Sequence, residues 1–431
     1  MVKGVLLVSL LAVVSASPNL RERFQDTDGT WEFLGAKGYS GNIVMNELTG
    51  SSYFYWLSEK LGSDISQDKA PMIICVPWSP EGAIGVEMVW QGISPIKLDE
   101  KDQPEKSEYT WGNNFHILGI DFPLGVGYSY AAETSDIGNS TMAATEQVYT
   151  LLQKLAKKYP SWFDRDLYLY GEHFGGGWAL EVAYHILKNN AKTGVINLPL
   201  KGLMMANPMI DPLGQIQKYS GYGYNLGYFN IDERGIIEGY EAKVKSDIES
   251  QNWLSAHSNF EEILNLYDQY TTRNRGNIRK PSGSYYFNDM ARWLELASTK
   301  RLLHVPSSIT WTLGNSNTTS AFKPETMKSK VDLIPYIMEN TRVLICSSQF
   351  NFLTPSTGVQ EVIANSTWEK AQDFIGSKKL FWKVNGRMAG YAQSHDNLTF
   401  VLLLKAGLFP VVEQPSNMKV MVYKFINGEA F

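Results

Sequence analysis

Short runs of apolar, β-branched and aromatic residues recur along the chain: Tyr53 to Leu57, Met72 to Val76, Phe115 to Ile120, Leu167 to Tyr170, Leu203 to Ala206, Val343 to Cys346, Lys379 to Val384 and Phe400 to Leu404. Each has the length and composition of a strand. Between several of them the period changes. After Thr141, Val148, Leu151, Leu152 and Leu155 repeat at helical spacing and Pro160 closes the segment. Trp178 to Leu187 predicts a helix directly after the Leu167 strand, and Asn417 to Ile426 a closing helix. Strands alternating with helices predict an α/β fold with a mostly parallel sheet. From about Pro212 to Val331 (212–331) the alternation fails, with a charged amphipathic helix at Glu233 to Ser250 and another at Asn259 to Tyr270. No repeat or long low-complexity linker divides the chain, so one domain with a helical insertion is expected.

The first residues read differently. Lys3 precedes an apolar stretch from Val5 to Val14, interrupted only by Ser9, and Val14-Ser15-Ala16 supplies small residues before a cleavage point. Residues 1–16 are expected to be a signal peptide, with 17–431 the mature, secreted or luminal domain. The stretch is much shorter than the roughly 20 apolar residues that span a bilayer, and no later segment is long enough, so no membrane association is expected. Sequons at Asn139, Asn317, Asn365 and Asn397 fit surface glycosylation once the chain enters that route.

A net charge of -5 provides no basic stripe, and nucleic acid is not an expected partner. The cluster Arg273, Arg275, Arg279 and Lys280, mixed with Asn and Gly, predicts a solvated loop. The His, Asp and Glu residues show no zinc-like spacing, so no metal or other cofactor is expected. Only two cysteines occur, Cys75 and Cys346, each in an apolar run that predicts a buried thiol.

The most informative segment is Gly171-Glu172-His173-Phe174-Gly175, which joins a strand to a helix. In a G-x-S-x-G elbow the glycines permit a sharp turn that projects a serine hydroxyl into the site. Here both glycines stand and the serine position is His173. Further motifs are Tyr39-Ser40-Gly41 with Tyr53-Phe54-Tyr55-Trp56, Gly119-Ile120-Asp121 with Phe122-Pro123, Gly127-Tyr128-Ser129-Tyr130, Asn207-Pro208 with Asp211-Pro212, Ala389-Gly390-Tyr391 and Gln414-Pro415. Their order along nearly the whole mature chain resembles a serine carboxypeptidase of the vitellogenic type. That resemblance implies an α/β-hydrolase fold, a mixed, mostly parallel central sheet flanked by helices, with a helical cap over the carboxyl ends of the strands. It also implies that the strands carrying Cys75 and Cys346 are not neighbours, which rules out a disulfide.

The same resemblance implies three catalytic positions, and all three are substituted. The serine falls on His173, the aspartate on Asn351 within Ser348-Gln349-Phe350-Asn351, and the histidine on Leu408 within Ala406-Gly407-Leu408-Phe409. Leucine cannot carry a proton. The family's glycine-rich oxyanion turn reads Cys75-Val76-Pro77-Trp78-Ser79-Pro80-Glu81-Gly82, so Trp78 and Ser79 mark an altered loop and Pro77 lacks an N–H. Glu172 matches a glutamate that in relatives helps hold a peptide's terminal carboxylate.

Loss of one key triad member can cost about a millionfold in turnover, so the expected function is binding or structural rather than peptidase. A peptide, another secreted protein or a small apolar ligand are all open as partners. Trp78, Trp178, Leu408 and Phe409 either fill the old cleft or line an apolar pocket. The alternative function is a carboxypeptidase that works through other residues.

Overall fold

The computed structural model describes residues 25–80, 82–283 and 288–431. The signal peptide expected at residues 1–16 lies outside them. Thirteen strands follow the chain: β1 (Thr27–Phe33), β2 (Ala36–Val44), β3 (Ser52–Ser58), β4 (Met72–Cys75), β5 (Ile96–Leu98), β6 (Pro104–Lys106), β7 (His116–Ile120), β8 (Leu167–Glu172), β9 (Leu200–Ala206), β10 (Arg342–Ser348), β11 (Leu380–Val384), β12 (Arg387–His395) and β13 (Leu398–Leu403). All but the β5–β6 hairpin join one sheet in the order β1-β2-β3-β7-β4-β8-β9-β10-β13-β12-β11. Neighbours from β7 through β13 are parallel. The margins, β1 to β3 on one side and β12 with β11 on the other, pair antiparallel.

This is the α/β-hydrolase architecture, and its centre follows from side-chain character. β4, β7 and β8 are buried along their whole length because helices cover both faces. Val148, Leu151 and Leu152 from helix Thr141–Lys158 pack on one face with Trp178 and Leu180 from helix Phe174–Asn190. Met418, Met421 and Val422 from helix Pro415–Asn427 pack on the other.

All eight expected strands are present within a few residues of their expected ends. β1, β2 and β12 were not expected from the apolar pattern, because Gly38, Ser40, Gly41 and Asn42 dilute β2 and β12 mixes exposed with buried positions. Pro160 does not merely end the preceding helix. It opens a short one, Pro160–Phe163, where its missing N–H is not needed.

Between β9 and β10 the chain is helical, dominated by Ile231–Glu249 and Trp253–Thr271. The first begins with a reciprocal cap: Asn230 accepts from Glu233 N–H while the Glu233 carboxylate accepts from Asn230 N–H. Ile237, Val244, Phe260 and Ile263 form a separate apolar cluster with Phe352, so the insertion is anchored on the loop that follows β10. Among the described residues no helix is long and apolar enough to cross a membrane. Cys75 on β4 and Cys346 on β10 are buried and unbridged, with β8 and β9 between their strands.

Candidate functional site

The turn from β8 into helix Phe174–Asn190 has the strained backbone of an elbow, with His173 at φ 49° and ψ −120°. Both flanking glycines are needed. A Cβ on Gly171 would meet the Gly175 carbonyl at 2.1 Å, and one on Gly175 would meet the Pro77 carbonyl at 2.1 Å. The turn is pinned where His173 N–H donates to Ala206 O and its carbonyl accepts from Gly176 and Met209 N–H.

The His173 ring is 4% exposed and lies edge-on to Phe174, centroids 4.4 Å apart. Neither ring nitrogen has a hydrogen-bond partner in acceptable geometry. Burial pushes its pKa down to about 3, with only a weak opposing pull from the Leu353 backbone. The imidazole is therefore neutral at physiological pH.

Asn351 and Leu408 stand on the loops after the neighbouring strands β10 and β13, but no hydrogen bond joins either side chain to His173 among the described residues. Asn351 closes its own turn: Oδ1 accepts from Leu353 N–H (3.0 Å) and Nδ2 donates to Thr354 Oγ1 (2.6 Å). Leu408 is buried in the apolar cluster on the sheet's second face. Its N–H donates to Gly276 O (2.6 Å), and its carbonyl accepts from Asn207 Nδ2 (3.0 Å).

Gly276 belongs to the basic stretch expected to be a solvated loop; Arg273 and Arg279 are exposed as expected, but the backbone between them is not. Gly276, Asn277 and Ile278 are buried, and the carbonyl of Arg275 accepts from Phe352 and Leu353 N–H. The insertion's backbone is thus hydrogen-bonded to the loop bearing Asn351 and the loop bearing Leu408.

The altered oxyanion loop meets the helix start directly. Gly175 N–H donates to Trp78 O at 3.0 Å, so a donor in the helix's first turn is already occupied by the protein. The Trp78 indole packs edge-on to Phe409 at 5.5 Å, and Phe409 in turn packs against Trp90 at 5.2 Å. Ser79 is buried at the cleft wall.

Glu172 is wholly buried and is not among the residues lining the cleft. It accepts from Tyr170 OH and from Gln91 Nε2 (2.7 Å). Burial raises its pKa to about 7 against those two hydrogen bonds. Glu87 is buried nearby, and burial, together with Glu172, holds its pKa well above the carboxylate range against weaker pulls from the Glu87 and Trp78 backbone. Sequence reasoning missed Glu87 and Gln91. Their four-residue separation within an apolar helical stretch was the available signal.

Beneath the insertion a cleft of about 420 Å³ reaches His173. Trp78, Phe174, Phe260 and Leu264 supply apolar walls, and His257, Glu261, Arg275, Lys323 and Thr326 supply its polar groups. His257 Nδ1 lies 3.2 Å from Thr326 Oγ1, and its Nε2 lies 3.9 Å from Glu261 Oε1. His257 and Glu261 share one face of helix Trp253–Thr271 at a four-residue spacing, but Thr326 comes from a distant segment, Pro324–Met327, so the grouping with a hydroxyl was not legible in the sequence. The Thr326 hydroxyl already donates to Lys323 O (2.7 Å), and 3.9 Å is too long for the carboxylate to orient the ring by a hydrogen bond. Among the described residues no group of three or more His, Cys, Asp or Glu is placed to hold a metal.

Of the sequon residues, Asn139, Asn317 and Asn365 are exposed. Asn397 is half-buried and its Nδ2 donates to Met338 O (2.9 Å).

The family model described as serine carboxypeptidase matches residues 29–428. The chain is 26% identical over 401 residues to the probable serine carboxypeptidase CPVL of Dictyostelium discoideum, covering 91% of this chain and 79% of that protein. It is 26% identical over 413 residues to the venom serine carboxypeptidase of Apis mellifera, covering 93% and 86%. In structure it is similar to Kex1(delta)p, a prohormone-processing carboxypeptidase from Saccharomyces cerevisiae, with a TM-score of 0.79 at 18% identity over 90% of this chain and 91% of that one.

Proposed function

Because the chain belongs to the serine carboxypeptidase family, we propose that it is a member without peptidase activity, retained as an extracellular binding protein. The observation that carries this reading is the elbow itself. Its strained backbone is kept, yet it presents a neutral imidazole with no partner at either nitrogen in place of a hydroxyl paired with a base.

Serine-type acyl transfer needs a nucleophile, a base within about 2.6–3.2 Å, and donors aimed at the developing oxyanion. His173 has no such base, Leu408 has no proton to exchange, and Pro77 in the altered oxyanion turn has no N–H to offer. Removing a triad leaves a residual acceleration of roughly 10³ to 10⁴ over water, which comes from the oxyanion hole and substrate binding. With the glycine-rich turn replaced by Pro77 and Trp78, part of that residual is lost as well. Secretion is supported by the pattern of residues 1–16, and one relative is named as a venom protein.

One observation favours a second reading, a hydrolase acting through Thr326 and His257. Their 3.2 Å contact lies in the same cleft. A fluorophosphonate probe separates the two. The folded protein is expected to take no label. Stoichiometric attachment at one residue, lost in Thr326→Ala, would establish the second reading instead.

A further inference from the structure

We propose that the cleft holds a small apolar molecule with one anionic group, a medium-chain carboxylate in chemical class, its hydrocarbon against Trp78, Phe174, Phe260 and Leu264 and its charge toward Lys323. This rests on the reading that the cleft performs no peptide hydrolysis. Its volume of about 420 Å³ lies within the range of roughly 300–1,000 Å³ typical of small-molecule sites, and its walls are chiefly apolar and aromatic.

Charge decides the rest. Two permanent cations, Lys323 and Arg275, face one carboxylate, Glu261, across the cleft. Arg275 is held by Asp268 (2.8 Å) and Asn265 (3.2 Å). Glu261 lies beside His257. Lys323 is exposed and its ammonium has no hydrogen-bond or ion-pair partner among the described residues, which leaves it available to an incoming anion. On the floor, His173 offers one donor and one acceptor that the protein does not use.

A peptide fits less well. Each backbone amide brought into an apolar cleft needs a partner, and Gly175 N–H at the helix start is taken by Trp78 O. An alkyl chain makes no such demand.

Isothermal titration of the full mature protein with decanoate, decanol and a blocked dipeptide tests the proposal. Decanoate is expected to bind saturably at one site, with decanol about tenfold weaker and the dipeptide weaker still. Lys323→Ala, at an exposed position, is expected to weaken decanoate about tenfold and leave decanol unchanged. Leu264→Trp, which fills the cleft, is expected to abolish both. Equal affinity for decanoate and decanol, binding unchanged in Lys323→Ala, or tighter binding of the dipeptide would each overturn the proposal, as would no decanoate binding. Cleavage of the dipeptide would overturn the preceding reading instead, so the two failures are distinguishable.

Discussion

Replacing Glu172 by Gln probes the interior of the site through stability alone. The carboxyl is fully buried, and its pKa stands at about 7 in the folded chain against an ordinary value of 4.5. At about 1.4 kcal/mol per pH unit, holding the ionised form in the fold costs roughly 3 kcal/mol. The folded state binds a proton that the unfolded chain has released, so this contribution is fully present below about pH 4.5. It is lost as the pH rises through about 7, and above that stability levels off. Glutamine cannot ionise, yet it can still accept from Gln91 and meet the Tyr170 hydroxyl. Glu87 acts in the same direction, because removing the Glu172 charge also relieves its neighbour. Urea unfolding of both proteins, followed by far-ultraviolet circular dichroism from pH 4 to pH 8, reads the difference. Glu172→Gln is expected to gain roughly 3 kcal/mol on the native protein across that range. A difference constant to within about 0.5 kcal/mol would refute the reasoning, because it would mean that Glu172 stays ionised without penalty.

Two other predictions concern backbone and thiols. His173→Gly is expected to be about 1 kcal/mol more stable than His173→Ala in the same urea assay. Relief of roughly 1–3 kcal/mol of strain at φ 49° outweighs the roughly 0.5–1 kcal/mol entropy cost of glycine; equal stabilities would show that the turn is unstrained. Burial pushes both thiols up, so a disulfide-exchange reagent such as Ellman's is expected to find neither cysteine in the native protein and both after denaturation. Rapid reaction in the native state would contradict their placement on β4 and β10.

The elbow could be read in advance because its constraint is steric and marked by residue type: only glycine fits at Gly171 and Gly175, and that requirement survives loss of the serine. Neighbouring motifs also marked Asn351 and Leu408, which stand on the loops after β10 and β13. What surrounds them could not be read. The contacts of Leu408 with Gly276, of Phe352 with Arg275 and of Gly175 with Trp78 run through backbone N–H and carbonyl groups, whose partners no residue type specifies. In the stretch around Gly276 the exposed Arg273 and Arg279 were legible, while burial of Gly276, Asn277 and Ile278 between them was not. β2 escaped notice because its burial comes from sheet neighbours rather than from apolar side chains. The cleft was left open between filled and empty. The structure gives both outcomes: aromatic packing of Trp78 with Phe409 and Trp90 on one side, and open volume over His173 on the other.

The central proposal is that no group among the described residues begins acyl transfer. Incubating purified mature protein with blocked dipeptides from pH 4 to pH 8, and quantifying free C-terminal amino acid, measures it most directly. The expected result is release no faster than in buffer, unchanged by His173→Ala or Thr326→Ala. Release above buffer that either substitution abolishes would contradict the account.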